Sequence, residues 1–143
     1  MEGPVVLDTS VIIKWFRQGE VLADRALRLR DAYLDGQIVI VVPSLAAYEL
    51  ANVLRYKGDL STDQVQAAVV SLFDAGLEWV APSSAMICRA VEMARSYETT
   101  VYDAAFAALA ETLGATFITA DERLARCLEP LSAARFLGEL KDT

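Results

Sequence analysis

Four carboxylates stand at the borders of apolar segments in this chain: Asp8 in VVLDTS, Glu49 in PSLAAYELANVL, Asp103 in TVYDAAFAALA and Asp121 in ITADERL. There is no histidine among the 143 residues. That absence removes Ser-His-Asp and Cys-His nucleophile systems, paired-histidine acid–base chemistry and nearly every catalytic zinc site. The cysteines, Cys88 and Cys127, show neither C-x-x-C spacing nor other zinc-ligand clustering, and we read both as small core or half-buried residues in helices. Any chemistry therefore falls to carboxylates. Hard oxygen ligands without histidine or cysteine select Mg²⁺ or Mn²⁺ over zinc or copper. Such an ion lowers the pKa of an attacking water and neutralises charge on a phosphate, so phosphodiester hydrolysis is the natural reaction.

Those four acids matter only if the fold gathers them. PVVL at 4 to 7 and IVIVV at 38 to 42 are continuous apolar runs rich in β-branched residues, the pattern of strands covered on both faces. Between them VLADRALRLRDAYLDG puts Leu22, Ala26, Leu29 and Tyr33 at helical spacing and stops on Gly36. Two further helices come next: SLAAYELANVLRYKG ends on Gly58, and STDQVQAAVVSLFDAG opens with the capping residues Ser61 and Thr62 and closes on Gly76. LEWVA at 77 to 81 predicts a third strand, and a helix from about Ser84 to Tyr97 carries Ile87, Ala90, Val91 and Ala94 on one face. Helix 101 to 113, stopped by Gly114, and strand TFIT at 116 to 119 complete the pattern, with RFL at 135 to 137 as a last strand. Strands alternating with helices at this spacing predict one α/β domain over residues 1–143, a mostly parallel sheet between two layers of helices.

In an open parallel sheet, ligands bind at the carboxyl ends of the strands. Asp8 directly follows the first strand and Asp121 follows the strand at 116 to 119, so both fall on that edge. Asp103 shares a helical face with Phe106, Ala107, Ala110 and Leu113, the face that packs on the sheet. Its helix returns antiparallel to the strands, which brings its N-terminus to the same edge. Glu49 lies one turn into the helix after the second strand, on the shoulder of the stripe of Ala46, Leu50, Val53 and Leu54. Each acid alone also fits a plain structural role: Asp103 in a first helical turn capped by Thr100, Asp8 and Asp121 in turns or caps, Glu49 on a solvated face. Their convergence argues otherwise. Two like charges ~4 Å apart repel by on the order of 4 kcal/mol at an effective dielectric near 20, so four acids in one crevice need protons or cations to coexist.

The charge of −7 argues against a protein that coats nucleic acid by bulk electrostatics, although a cation-loaded acidic cluster still presents positive charge to a phosphate. Of the residues, 55% are apolar, yet no run approaches the roughly 20 needed to span a membrane. The N-terminus, MEGPVVLD, has no basic segment followed by a long apolar one, so we expect a soluble cytoplasmic protein. Thr9, Ser10 and Thr119 sit beside the acids, placed to hydrogen-bond a carboxylate or a metal-bound water, or simply to bond within their turns. Lys14, Arg17 and Arg123 are placed to steer a phosphate, or to serve as solvated helix charges.

VVLDTSVIIKWF at 5 to 16, PSLAAYELANVL at 43 to 54 and VYDAAFAALAETLGATFITADERL at 101 to 124 resemble, in order and spacing, the three signature blocks of PIN-domain ribonucleases, especially VapC toxins of toxin–antitoxin modules. Carried over residue by residue, the resemblance puts the family's acidic quartet on Asp8, Glu49, Asp103 and Asp121. Its supporting polar positions fall on Thr9 or Ser10, Asn52 and Thr119. The resemblance implies a parallel sheet flanked by helices, Mg²⁺ or Mn²⁺ dependence, RNA cleavage, a homodimer and a cognate antitoxin. Beyond about Leu124 the match thins. A haloacid-dehalogenase-like phosphatase wants a second aspartate where Ser10 stands, and a receiver-type module wants paired acids after the first strand and a late lysine, neither of which is present. A housekeeping PIN nuclease, or a degenerate PIN domain that only binds RNA or a partner, is the remaining alternative. For the homodimer we expect a contact on residues 45–75, where Tyr48, Tyr56, Val65, Val69, Leu72 and Phe73 offer more apolar surface than one sheet face needs.

Overall fold

In a computed structural model, residues 3–141 are described. The expected domain of residues 1–143 extends past them at both ends, so its outermost positions lie outside the described residues. The strands are β1 (Gly3–Leu7), β2 (Ile38–Pro43), β3 (Glu78–Val80), β4 (Thr116–Thr119) and β5 (Ala134–Phe136). The helices are α1 (Thr9–Ile12), α2 (Ala23–Leu34), α3 (Leu45–Tyr56), α4 (Thr62–Asp74), α5 (Ser84–Tyr97), α6 (Val101–Leu113) and α7 (Glu122–Cys127). All strand pairings are parallel, in the order β3-β2-β1-β4-β5. The apolar run of β1 accounts for its central place: Val5, Val6 and Leu7 are fully buried, with Val5 between Ile40 of β2 and Thr116 of β4.

Caps in the sequence fix where the helices begin and end. Ser61 and Gln64 form a reciprocal capping box at the start of α4. The Thr100 hydroxyl accepts from the Asp103 amide at 3.0 Å, and Gly114 ends α6 in the left-handed region at φ 63°, a conformation glycine adopts without steric cost. Helix α6 packs between the sheet and α5. Phe106 on α6 and Phe117 on β4, both essentially solvent-free, set their rings 6.3 Å apart. Truncating either to alanine removes packing worth about 3–5 kcal/mol. That contact lies one helical turn from Asp103 and locks α6 against the sheet.

Several expectations about faces need correction. On α5 the buried residues are Ala90, Met93 and Ala94, whereas Ile87 and Val91 are exposed, so the buried stripe is rotated toward Met93. Leu113, expected on the packed face of α6, is exposed because the helix runs off the sheet in its last turn. Leu22 is not in α2 but caps it in the left-handed region at φ 63°. The last strand begins one residue earlier than expected and ends at Phe136, and Leu137 is buried in a 3₁₀ turn. Cys88 is exposed rather than half-buried; Cys127 is intermediate. Within the proposed dimer surface, Leu72 is fully buried in the chain's own core and Val65 packs against that core, while Tyr48, Tyr56 and Phe73 are exposed. Phe73 stacks on Trp79 at 4.9 Å. Among the described residues no helix is long and apolar enough to cross a membrane.

Candidate active site at the carboxyl edge of the sheet

The chain turns sharply after β1. Asp8 N–H continues the ladder by donating to the Ile118 carbonyl at 2.9 Å, and Asp8 then becomes the N-cap of α1. No local sequence pattern announces this four-residue helix. It presents polar side chains to one spot. The Ser10 and Thr119 hydroxyls both donate to Asp8 Oδ2, each at 2.7 Å, and the Thr9 hydroxyl donates to Glu49 Oε1 at 2.8 Å. Ser10 also accepts from the Ala120 amide at 2.9 Å, and Thr119 accepts from the Asp121 amide at 3.0 Å. The N-cap and first residues of α1 are thereby tied to α3 and to the end of β4.

Asp8 is 6% exposed, and Thr9 and Thr119 are also buried. Burial is the main cause that lifts the Asp8 carboxyl from 3.8 to about 6; the Ser10 and Thr119 hydroxyls oppose it, and the negative charge of Asp103 adds to it. Glu49 is raised by burial, then by Asp8 and Asp103, against the hydrogen bond from Thr9. Asp103 is raised by burial and by Asp121; the Thr100 hydroxyl and the Arg123 charge pull the other way. The negative charge of Asp103 thus acts on both Asp8 and Glu49, and that of Asp121 acts on Asp103. Asp121 is exposed, and its Oδ1 accepts the Leu124 amide at 3.1 Å as the N-cap of α7.

The remaining sequence candidates divide. Asn52 is exposed on α3 and, among the described residues, its side chain makes no hydrogen bond. Lys14 pairs with Glu20 at 3.6 Å, and Arg17 pairs with Glu20 and, at 3.2 Å, with Asp59. Both cations are committed to an ion-pair cluster that ties the segment after α1 to the α3–α4 loop. Arg123 acts on Asp103 electrostatically. Thr100, marked by the sequence only as a cap, also pulls the Asp103 carboxyl down. Its Thr-x-x-Asp spacing is the signal that hides this second role behind the first.

These donors are all hard oxygens, and the three carboxyls are raised first by burial and then by the charge of neighbouring acids. In this side-chain arrangement, among the described residues, no three of the acidic, histidine or cysteine side chains close around a single point.

The same fold occurs in solved structures that share little sequence with this chain. A toxin–antitoxin complex from Klebsiella pneumoniae matches with a TM-score of 0.69 at 16% identity, covering 95% of this chain and 99% of that one. VapC20 of Mycobacterium tuberculosis, a sarcin-ricin loop cleaving toxin, matches at 0.68 and 14% identity over 85% of this chain and 93% of its own. VapBC-1 from nontypeable Haemophilus influenzae matches at 0.66 and 17% identity, over 95% and 99%. No curated protein sequence matches significantly. The PIN domain family, by contrast, matches residues 5–127, a span that begins within β1, takes in all four acids and ends with α7. With that match over most of its length and the parallel fold to go with it, this chain belongs to the PIN domain family.

Proposed function

We propose that the protein is a Mg²⁺- or Mn²⁺-dependent endoribonuclease, with Asp8, Glu49, Asp103 and Asp121 as its catalytic and metal-holding acids. The observation that carries the reading is the buried Asp8 carboxylate, held by the Ser10 and Thr119 hydroxyls and within electrostatic reach of Asp103, at the edge of a PIN-family sheet. A buried acid left repelling its neighbours is unfavourable for stability and makes sense where function requires it. A bound divalent cation supplies an activated water and neutralises charge on the phosphate. The chain's own groups set that chemistry up. Ser10 and Thr119 fix the orientation of Asp8, Thr9 that of Glu49, and Thr100 caps the helical turn that carries Asp103. Asp121 is held in place by capping α7, close enough to act electrostatically on Asp103.

Structures of the same fold include toxins and toxin–antitoxin complexes. That favours a type II toxin, working in the cytoplasm, with RNA as substrate, a cognate antitoxin as partner and a homodimer as the working particle. The exposed Tyr48, Tyr56 and Phe73 on α3 and α4 are the surface for the dimer. Incubation with total cellular RNA tests the activity. Cleavage should vanish in EDTA, return with Mg²⁺ or Mn²⁺, and be absent in Asp103→Asn; strong cleavage in EDTA, or none with either metal, overturns the reading. Inhibition by a small DNA-binding protein encoded beside the gene separates a toxin from a housekeeping nuclease.

A further inference from the structure

The acidic edge is rich in negative charge, and an RNA phosphate brings more. A cation that is not already neutralised is needed beside it. Lys14 and Arg17 do not meet that need, because Glu20 and Asp59 hold them. Arg123 differs. It sits in the first turn of α7, two residues past Asp121, and is exposed. Its guanidinium makes no hydrogen bond or ion pair among the described residues. The start of α7 is fixed from two directions: Asp121 Oδ1 caps the Leu124 amide, and the Asp121 amide donates to Thr119, which in turn holds Asp8. The root of the Arg123 side chain is therefore tied through three hydrogen bonds to the buried acid.

Resting on the ribonuclease reading above, we propose that Arg123 is the residue of this chain that binds the phosphate of the RNA substrate at the acidic edge. Its charge already reaches the site, since it works against the upward shift of Asp103. A guanidinium suits the task because its planar fork takes two phosphate oxygens at once and remains charged at any working pH. An exposed arginine not committed to a carboxylate can swing to the substrate without first breaking an ion pair. Arg126, one turn along the same helix, is the natural contrast. It too is exposed, but it lies between Glu122 and Glu129 at helical spacing and in the last turn, where a cation complements the helix dipole.

Two measurements test the assignment. Binding of a fluorescein-labelled single-stranded RNA of randomised sequence to the cleavage-dead Asp8→Asn chain, in Mg²⁺ and over a series of salt concentrations, reads the phosphate contact without turnover. Adding Arg123→Ala should weaken binding about tenfold and lower the salt slope by about one phosphate contact. Arg123→Lys should recover part of the loss, and Arg126→Ala should bind as its parent does. Steady-state cleavage by the otherwise unaltered chain should show Arg123→Ala raising KM more than it lowers kcat, with the melting temperature unchanged. Unchanged affinity, salt slope and KM in Arg123→Ala overturn the proposal, as does a shifted pH profile with no loss of affinity, which marks an effect on Asp103 alone. If the unaltered chain cuts no RNA with either metal, the ribonuclease reading fails first and this assignment falls with it.

Discussion

Asp8 and Asp121 end neighbouring strands of the same sheet and have opposite surroundings. Asp8 is buried, accepts two side-chain hydroxyls on one oxygen, and is raised to about 6. Asp121 is exposed and commits its Oδ1 to a helix cap. The difference lies in the route the chain takes out of each strand. After β1 the chain enters α1 at once, and Val11 and Ile12 pull the turn down into the core. After β4 one more residue intervenes, and α7 begins outside. Position at a strand end gives both residues access to the edge; burial decides which of them carries a strained charge.

The strongest way to break this contrast is to neutralise each acid. Asp8→Asn and Asp121→Asn should each lower RNA cleavage at least about a hundredfold, but their effects on stability should part. A buried carboxyl raised to about 6 holds roughly 3 kcal/mol of charge unfavourably in the metal-free protein at neutral pH. Asparagine keeps a carbonyl for the Ser10 and Thr119 hydroxyls, so Asp8→Asn should stabilise the protein in EDTA by about 1–3 kcal/mol. Asp121→Asn replaces one good cap with another and should change stability by less than about 0.5 kcal/mol. Urea unfolding in EDTA checks both. A destabilised Asp8→Asn would mean that its hydrogen bonds outweigh its desolvation.

The same raised group predicts how stability follows pH. Because the folded pKa lies above the unfolded value, the folded chain holds the Asp8 proton more tightly. Its contribution is fully present below about 3.8 and is lost as pH rises through about 6. Metal-free protein should therefore lose up to about 3 kcal/mol from this group between those limits, a loss absent from Asp8→Asn. Mg²⁺ at a hundred times its dissociation constant should restore about 2.7 kcal/mol near pH 7, and less near pH 5, where protons compete for the carboxylates. Thermal melts with and without MgCl₂ read both effects. A melting temperature indifferent to Mg²⁺ at neutral pH would remove the metal site. Thr119→Val should act more weakly on cleavage, by about tenfold, and should cost about 1–3 kcal/mol in stability, since its hydroxyl bridges Asp8 and the Asp121 amide.

How much of this was legible depended on whether a residue's neighbours are local. The strands and the longer helices declare themselves through apolar period and caps, as with Ser61 and Gln64 or Thr100 and Gly114. The placement of Asp8 and Asp121 at one edge follows from the parallel order alone. Helix faces were legible only where one side packs. Helix α6 lies between the sheet and α5 and buries all of residues 106 to 110, so its apolar pattern cannot say which side faces the sheet. On α5 the competing apolar residues Ile87 and Met93 could not be ranked without knowing that α6 is the neighbour. Helix α1 was hidden by its length, because four residues carry no period, and its hydrogen bonds run to partners as far away as Glu49 and Thr119. The pairing of Arg17 with Asp59 was equally beyond local pattern, since it joins two segments 42 residues apart, whereas Glu20 is a near neighbour in sequence of both Lys14 and Arg17.

The smallest expected effect, at Tyr48, concerns the outer surface, where Leu72 and Tyr48 make the counterpart of the buried and exposed acids. Both were expected at a dimer contact, yet Leu72 is fully buried within its own chain and Tyr48 is 78% exposed. Leu72→Ala should cost about 2–5 kcal/mol of folding stability whatever the oligomeric state, because it opens a cavity in the core. Tyr48→Ala should change the folding of the isolated chain by less than about 0.5 kcal/mol, as an exposed residue away from caps and networks does. If α3 and α4 form the proposed twofold contact, a charge introduced at that same exposed position meets its own copy or its neighbours across the axis. Tyr48→Asp should then shift sedimentation toward a particle of 15.6 kDa while leaving the metal response of the melting temperature intact. An unaltered chain that sediments as a monomer at every concentration would end the dimer proposal, and would leave the contrast between Asp8 and Asp121 standing, since none of the interactions described for either acid involves a second copy.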